Sequence, residues 1–229
     1  MKKLMLALVA AGLALPALAA NTTVYTNDFS SGAGSAWSNT STSDAPNGQS
    51  FLGQFGNTNT TLTLDGLAAH NSVTISFDLY VIRSWDGNSY SYGPDIWGIN
   101  IGNGPVTLSN FTTTFSNWSN SPQSFPNAIF SGSHPAQTGA VAVNTLGYGT
   151  TDGWGDATYH FSFTVNHSDA KFQTTFWGAG QQGTDDEGWG IDNVKVSVTA
   201  VPEPETYALF LAGLGVMGAV ARRRKAKAA

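Results

Sequence analysis

Residues 72–82 read SVTISFDLYVI, and their alternation decides the fold. Val73, Ile75, Phe77, Leu79 and Val81 fall on one side, and Ser72, Thr74, Ser76 and Asp78 on the other. A period of two with one apolar face is the pattern of a half-buried β-strand. TYHFSFTVN (158–166) repeats it with Tyr159, Phe161, Phe163 and Val165 inward, and DNVKVSV (192–198) does so with Val194, Val196 and Val198. TLTLDG (61–66), IWGINIG (96–102) and KFQTTFW (171–177) are weaker strand candidates. Between them lie Gly, Asn, Ser and Pro clusters such as SNWSNSPQSFPN (116–127), which suit turns and surface loops. No stretch of this body has helical periodicity. Many short strands without helices predict an all-β fold, a two-sheet antiparallel sandwich of jelly-roll-like or Ig-like topology.

The two ends are different in kind. MKKLMLALVAAGLALPALAA (1–20) has two lysines, an apolar stretch broken by Pro16, and small residues at Ala17 and Ala19. It reads as a secretory signal peptide over residues 1–19, too short for a span and excluded from the fold. VPEPETYALFLAGLGVMGAVARRRKAKAA (201–229) sets Pro202, Glu203 and Pro204 before an apolar run and a basic knob of Arg222, Arg223, Arg224, Lys225 and Lys227. The uncharged stretch Thr206–Ala221 is 16 residues long. At 1.5 Å per residue it reaches roughly 24 Å as a helix, short of the ~30 Å hydrocarbon core of a bilayer. It is expected to be a marginal transmembrane helix whose basic tail stays in the cytoplasm.

Residues 20–200 thus form one candidate domain. Its thirteen carboxylates, from Asp28 to Asp192, face only Arg83, Lys171 and Lys195, a net charge of −10. Such a body repels nucleic acid and attracts cations. It has no cysteine, so an exported chain relies here on its core, with a metal as an available aid.

Pro202-Glu203-Pro204, an apolar helix and a terminal Arg cluster together resemble the PEP-CTERM sorting signal of Gram-negative bacteria. The resemblance implies an exosortase as partner, transient residence in the inner membrane, and delivery to the outer surface, commonly in bacteria that make exopolysaccharide. It implies no catalytic residue in this chain. FLGQFGNTNTTLTLDGLAAHNSVTISFDLYVIRSWDGNS (51–89), GPDIWGI (93–99), HPAQTGAVAVNTLGY (134–148) and DDEGWGIDNVKVSV (185–198) resemble an extracellular domain that recurs beside such tails. NDF (27–29) with IDNV (191–194) is also similar to the MAM-type jelly roll, whose terminal acids help bind a cation. That resemblance implies a structural Ca²⁺ held by Asp28 and Asp192. Ser30 stands where the family has Glu, and Asn193 where it has a second Asp.

Asp192 shares parity with Val194, Val196 and Val198, so a regular strand points it into the core. An unpaired carboxylate there needs a partner, and a hard cation is one. A bulge after Ile191, or backbone N–H groups, would serve instead. A second acidic group, Asp86 and Asp95 in SWDGNSYSYGPD with Asp186 and Glu187 in TDDEGW, lies in loops able to offer oxygen ligands to calcium, although without EF-hand spacing. Solvated loop charge is the plainer account.

Seven tryptophans lie in the body. Trp85, Trp118 and Trp154, in loop-like sequence, are candidates for stacking on sugar rings, and core packing is the alternative. Enzyme signatures are mostly missing: no Gly-x-Ser-x-Gly, no His-Glu-x-x-His, and in the body a single Glu, Glu187, for glycoside chemistry that needs two facing carboxylates, although an Asp pair could serve. The expectation is an exported, non-enzymatic surface or matrix protein that binds or organises polysaccharide. A purely structural matrix or biofilm protein and a glycan hydrolase are the alternatives.

Overall fold

The computed structural model describes residues 21–149, 155–201 and 204–226; the expected signal peptide lies outside them. The body Asn21–Ala200 is one compact unit. Its strands are β1 (Asn21–Asn27), β2 (Thr42–Asp44), β3 (Ser50–Phe55), β4 (Asn59–Leu64), β5 (His70–Arg83), β6 (Ile96–Gly102), β7 (Thr107–Thr114), β8 (Ala142–Val143), β9 (Asp156–Asn166), β10 (Phe172–Ala179) and β11 (Glu187–Ala200). They form two antiparallel sheets. One runs β2-β3-β11-β5-β9-β8, with β1 also on β11; the other runs β4-β10-β6-β7. This is the sandwich that the alternation of residues 72–82 predicts.

The inward residues of β5 show why. Val73, Ile75, Phe77, Leu79 and Val81 are all essentially buried in the shared core. Phe77 stacks on Phe161 of its own sheet at 5.4 Å and meets Phe176 of the opposite sheet edge-on at 5.0 Å. Truncating a buried ring of this kind to Ala costs about 3–5 kcal/mol. Opposite parity along β5 is solvated at first, but Tyr80 and Ile82 are covered by a second cluster with Ala45, Phe51 and Leu146.

The parity of β11 changes part-way along. Trp189 and Ile191 enter the main core, and so do Val194, Val196 and Val198. Two residues, Asp192 and Asn193, intervene between Ile191 and Val194 instead of one, because Asn193 adopts a left-handed backbone (φ 51°) and the register with β5 slips between Asp192 and Lys195. Asn tolerates that conformation better than most residues, and a bulge of this type reverses which residues face inward. Asp192 therefore lies on the side opposite the core. The inward position expected from its spacing is corrected by the bulge.

At the C-terminus, an α-helix, α1, spans Pro204–Ala226. It contains the expected helical stretch, yet among the described residues no helix is long and apolar enough to cross a membrane. The transmembrane helix expected over 206–221 is corrected on that point. Its 16 uncharged residues include Gly213, Gly215 and Gly218, and Arg222–Arg224 follow at once.

Candidate functional site

The loop after β5 and the turn before β11 carry the second acidic group, and the fold brings three of its four members together. Asp86, Asp95 and Glu187 each offer a carboxylate oxygen, and these oxygens lie within 4.8 Å of one another. Asp95 and Glu187 are 0% exposed. The Asp86 N–H donates to Asp95 Oδ2, and the Gln182 N–H donates to Glu187 Oε2 at 2.9 Å. Asp95 Oδ1 and Glu187 Oε1 are buried with no donor. The fourth member, Asp186, turns away and accepts from Ser84 Oγ at 2.6 Å.

The two segments meet closely because Gly180 (φ 98°) leaves no side chain between them. A Cβ there would lie 2.1 Å from the Pro94 carbonyl oxygen. Burial, then the neighbouring carboxylates, sets the electrostatics. It pushes Glu187 up to about 9 and Asp95 up to about 7, and raises Asp86 as well. Like charges this close and this dry cannot all ionise without a counter-charge. Arg83, the nearest cation in sequence, is directed instead to the Thr184 carbonyl and to Asp185, 3.9 Å away.

Asp28 and Asp192 are placed differently from each other. Asp28 is exposed and accepts from the N–H and hydroxyl of Ser30, at 3.1 and 2.7 Å, in its own turn. Asp192 is buried, with Oδ2 accepting from Gln49 Nε2 (2.7 Å) and the Tyr80 hydroxyl (2.9 Å) and Oδ1 from the Asn193 N–H (2.6 Å). Burial raises the Asp192 pKa and these three donors oppose the rise. Protein groups alone satisfy this carboxylate, so the need for a cation that its expected core position implied is removed.

Of the tryptophans expected to stack on sugars, Trp85 is corrected. It is 0% exposed in the main core and donates from Nε1 to the Gly188 carbonyl at 2.8 Å. Trp118 is partly buried in the loop after β7. Trp154 lies outside the described residues. The aromatic that does lie on a sheet surface is Trp177. Phe172, Thr174 and Phe176 alternate with it toward the interior, so Trp177 belongs to the outer face of the four-stranded sheet and is partly exposed. Its indole covers Gly98 on the neighbouring strand, where a Cβ would lie 2.3 Å from Cε2 and Cζ2.

Registers place a polar lattice around that ring. One row is Asn59, Trp177, Gly98 and Thr112; the next is Thr61, Thr175, Asn100 and Asn110; the third begins Thr63, Gln173 and Gly102. Thr61 and Thr175 share a hydroxyl hydrogen bond at 2.8 Å, and Gln173 Nε2 donates to Thr63 Oγ1 at 2.9 Å. A shallow depression of about 170 Å³ lies over Asn100, Gln173 and Thr175. No side chain in these rows is charged, although the body carries thirteen carboxylates. Sequence reading missed Trp177 because it favoured loop tryptophans. The available signal was the strict alternation of residues 172–177, which sets Trp177 opposite Phe172, Thr174 and Phe176. Two other exposed aromatics, Tyr90 and Tyr92, project from the loop that carries the acidic group.

Residues 200–225 match the PEP-CTERM protein-sorting motif, which marks the chain as an exported exosortase substrate. Pro202 and Glu203 lie outside the described residues, Pro204 opens α1, and Arg222, Arg223, Arg224 and Lys225 lie in its last turns. No curated protein is detectably similar to the chain. Among solved structures, the chain is similar to the C-terminal CBM6 of LamC, a laminarinase of Zobellia galactanivorans. The identity is 13% and the TM-score 0.37, over 78% of this chain and 99% of that one. A carbohydrate-binding module of a Cellvibrio mixtus lichenase, solved with cellotriose, gives 13% and 0.35 over 78% and 99%. A CBM28 module specific for non-crystalline cellulose gives 15% and 0.39 over 76% and 93%. At that distance no ligand and no residue role passes to this chain.

Proposed function

We propose that the exported sandwich binds polysaccharide at the cell surface or in the extracellular matrix, through the outer face of its four-stranded sheet, and leaves its ligand chemically unchanged. The observation that carries this reading is Trp177 lying over Gly98 in a field of uncharged amides and hydroxyls. A pyranose ring has apolar C–H faces and a hydroxylated rim. An indole offers the first a flat, polarisable partner, and Asn, Gln and Thr offer the second directed donors and acceptors. The sorting motif supports the setting, because it delivers the chain to where extracellular glycans are. In this reading the tail keeps the chain cell-associated until the exosortase acts on it.

A hydrolase would need two carboxylates in reach of substrate. Asp95 and Glu187 have the raised pKa values of such groups but no exposure, so a sugar cannot approach them. Affinity electrophoresis of the full-length chain through gels cast with neutral β-glucans, mannans and bacterial exopolysaccharide tests the proposal. Retention on at least one gel is expected, with no release of reducing sugar. Free migration through all of them would favour a purely structural matrix protein, and sugar release would favour the hydrolase.

A further inference from the structure

We propose that Asp86, Asp95 and Glu187 form a Ca²⁺ site that clamps the β5–β6 loop to the β10–β11 turn. Two observations carry it independently. The first is the convergence of three carboxylates from distant segments, with oxygens within 4.8 Å of one another. Oxygens bound to a single Ca²⁺ at 2.3–2.6 Å lie at most about 5 Å apart, so one ion can touch all three. The second is that Asp95 Oδ1 and Glu187 Oε1 are fully buried and have no donor, while the other oxygen of each is held by a backbone N–H. A buried carboxyl oxygen without a partner is costly, and native proteins rarely keep two together.

The chemistry of the set selects the ion. Every ligand is a hard carboxylate oxygen, and no His joins the cluster, which disfavours zinc and copper and favours calcium or magnesium. The irregular loop and turn that supply the ligands suit the flexible coordination of Ca²⁺ better than the strict octahedron of Mg²⁺. No Lys or Arg among the described residues pairs with the cluster, so an external cation is the available counter-charge. Gln181, in the same turn, also has a buried oxygen, Oε1, without a donor. The site holds structure and uses none of the side chains proposed to bind polysaccharide, so either can fail without the other.

The test uses the full-length chain stripped with EDTA, then titrated with CaCl₂ in a calorimeter and melted in Ca²⁺ or Mg²⁺ at matched ionic strength. For a site at the tight end of the extracellular range, roughly 0.1 mM, about 10 mM Ca²⁺ should raise the melting temperature by roughly 5–10 °C. Glu187→Gln should be about as stable as the ion-free wild type, because the amide keeps the size of the side chain and an oxygen to accept from the Gln182 N–H, and should lose the Ca²⁺ response. Asp192→Asn and Asp28→Asn should keep it. Should Glu187→Gln fail to fold, Asp86→Asn, at the partly exposed member, should lose at least tenfold in Ca²⁺ affinity. Absence of a Ca²⁺ heat in the wild type, or an equal Ca²⁺ gain in wild type and the folded cluster variant, would overturn the proposal.

Discussion

Trp177 and Gly98 are cross-strand partners, and the indole occupies the volume that any side chain at position 98 would need. The indole lies over Gly98 in the row that runs from Asn59 to Thr112. Its readiness to receive a sugar depends on the glycine as much as on the tryptophan.

Trp177→Ala should therefore weaken polysaccharide retention by roughly tenfold, equivalent to about 1.4 kcal/mol, with little change in melting temperature. Gly98→Ala should lower retention similarly while keeping the tryptophan, because a Cβ pushes the ring off the sheet. Tyr92→Ala, in the β5–β6 loop, should leave retention intact. Equal loss in the Tyr92 variant, or none in the Trp177 variant, would move the binding surface away from this face.

Asp156 should prove to be a structural carboxylate. It is fully buried, and the backbone N–H groups of Thr145, Leu146, Gly147 and Tyr148 donate to it at 2.9, 3.0, 3.2 and 3.3 Å. These bonds fold residues 145–148 over the outer face of the seven-stranded sheet, where Leu146 joins the Phe51–Tyr80 cluster. Asp156→Ala removes charge-assisted bonds to four donors at once and should cost about 3 kcal/mol or more in chemical denaturation. A change under about 1 kcal/mol would show that water replaces the carboxylate.

The buried pair His70 and His167 makes stability depend on pH. His70 Nδ1 lies 2.6 Å from the Ala68 carbonyl and His167 Nε2 lies 3.1 Å from the Lys171 carbonyl, so each of these nitrogens carries a hydrogen. The inner nitrogens are 2.7 Å apart; with both outer nitrogens protonated, a hydrogen between them is a third proton, so the pair can carry one positive charge and has no room for a second. Burial, then the charge of His70, lowers the His167 pKa. A lowered pKa means that the unfolded chain binds more protons below about 6.5, so this contribution is complete above that pH and is lost as pH falls through it. His167→Gln should be less stable than wild type at pH 7.5, and the deficit should shrink by pH 5, by roughly 2–4 °C in melting temperature. A deficit constant across that range would remove the pair from the pH response.

The sandwich was legible in the sequence because one-sided burial of a strand writes itself as alternation. Val73 to Val81 and Tyr159 to Val165 follow that rule without interruption, and the structure keeps their parity. The sequence around Asp192 admits an inward position or a bulge, and the bulge holds, because parity counts carry only as far as the next irregularity. Asn193 turns the chain by one residue, and a bulge has no periodic signature. Trp85 was misread for a related reason: its neighbours Ser84, Asp86 and Gly87 look like a surface loop, but the ring folds inward onto Phe115. The acidic cluster could be nominated by composition, whereas the choice of Asp86, Asp95 and Glu187 over Asp186 depends on a close approach at Gly180 that residue types alone do not reveal.

The tail makes the last prediction. The motif covers residues 200–225, and the helix that follows its Pro-Glu-Pro has only 16 uncharged residues before Arg222. At roughly 24 Å it falls short of a ~30 Å hydrocarbon core. Such a helix suits a signal that is read and removed better than a permanent anchor. Extracellular protein should accordingly lack Thr206–Ala229, seen as a truncated C-terminal peptide in mass spectrometry. Replacing Pro202, Glu203 and Pro204 together by alanine should leave the chain intact and cell-associated, because the helix and basic residues remain while the recognised motif is gone. Extracellular protein carrying an intact Arg-rich C-terminus, from either the wild type or the triple variant, would show that release does not depend on this signal.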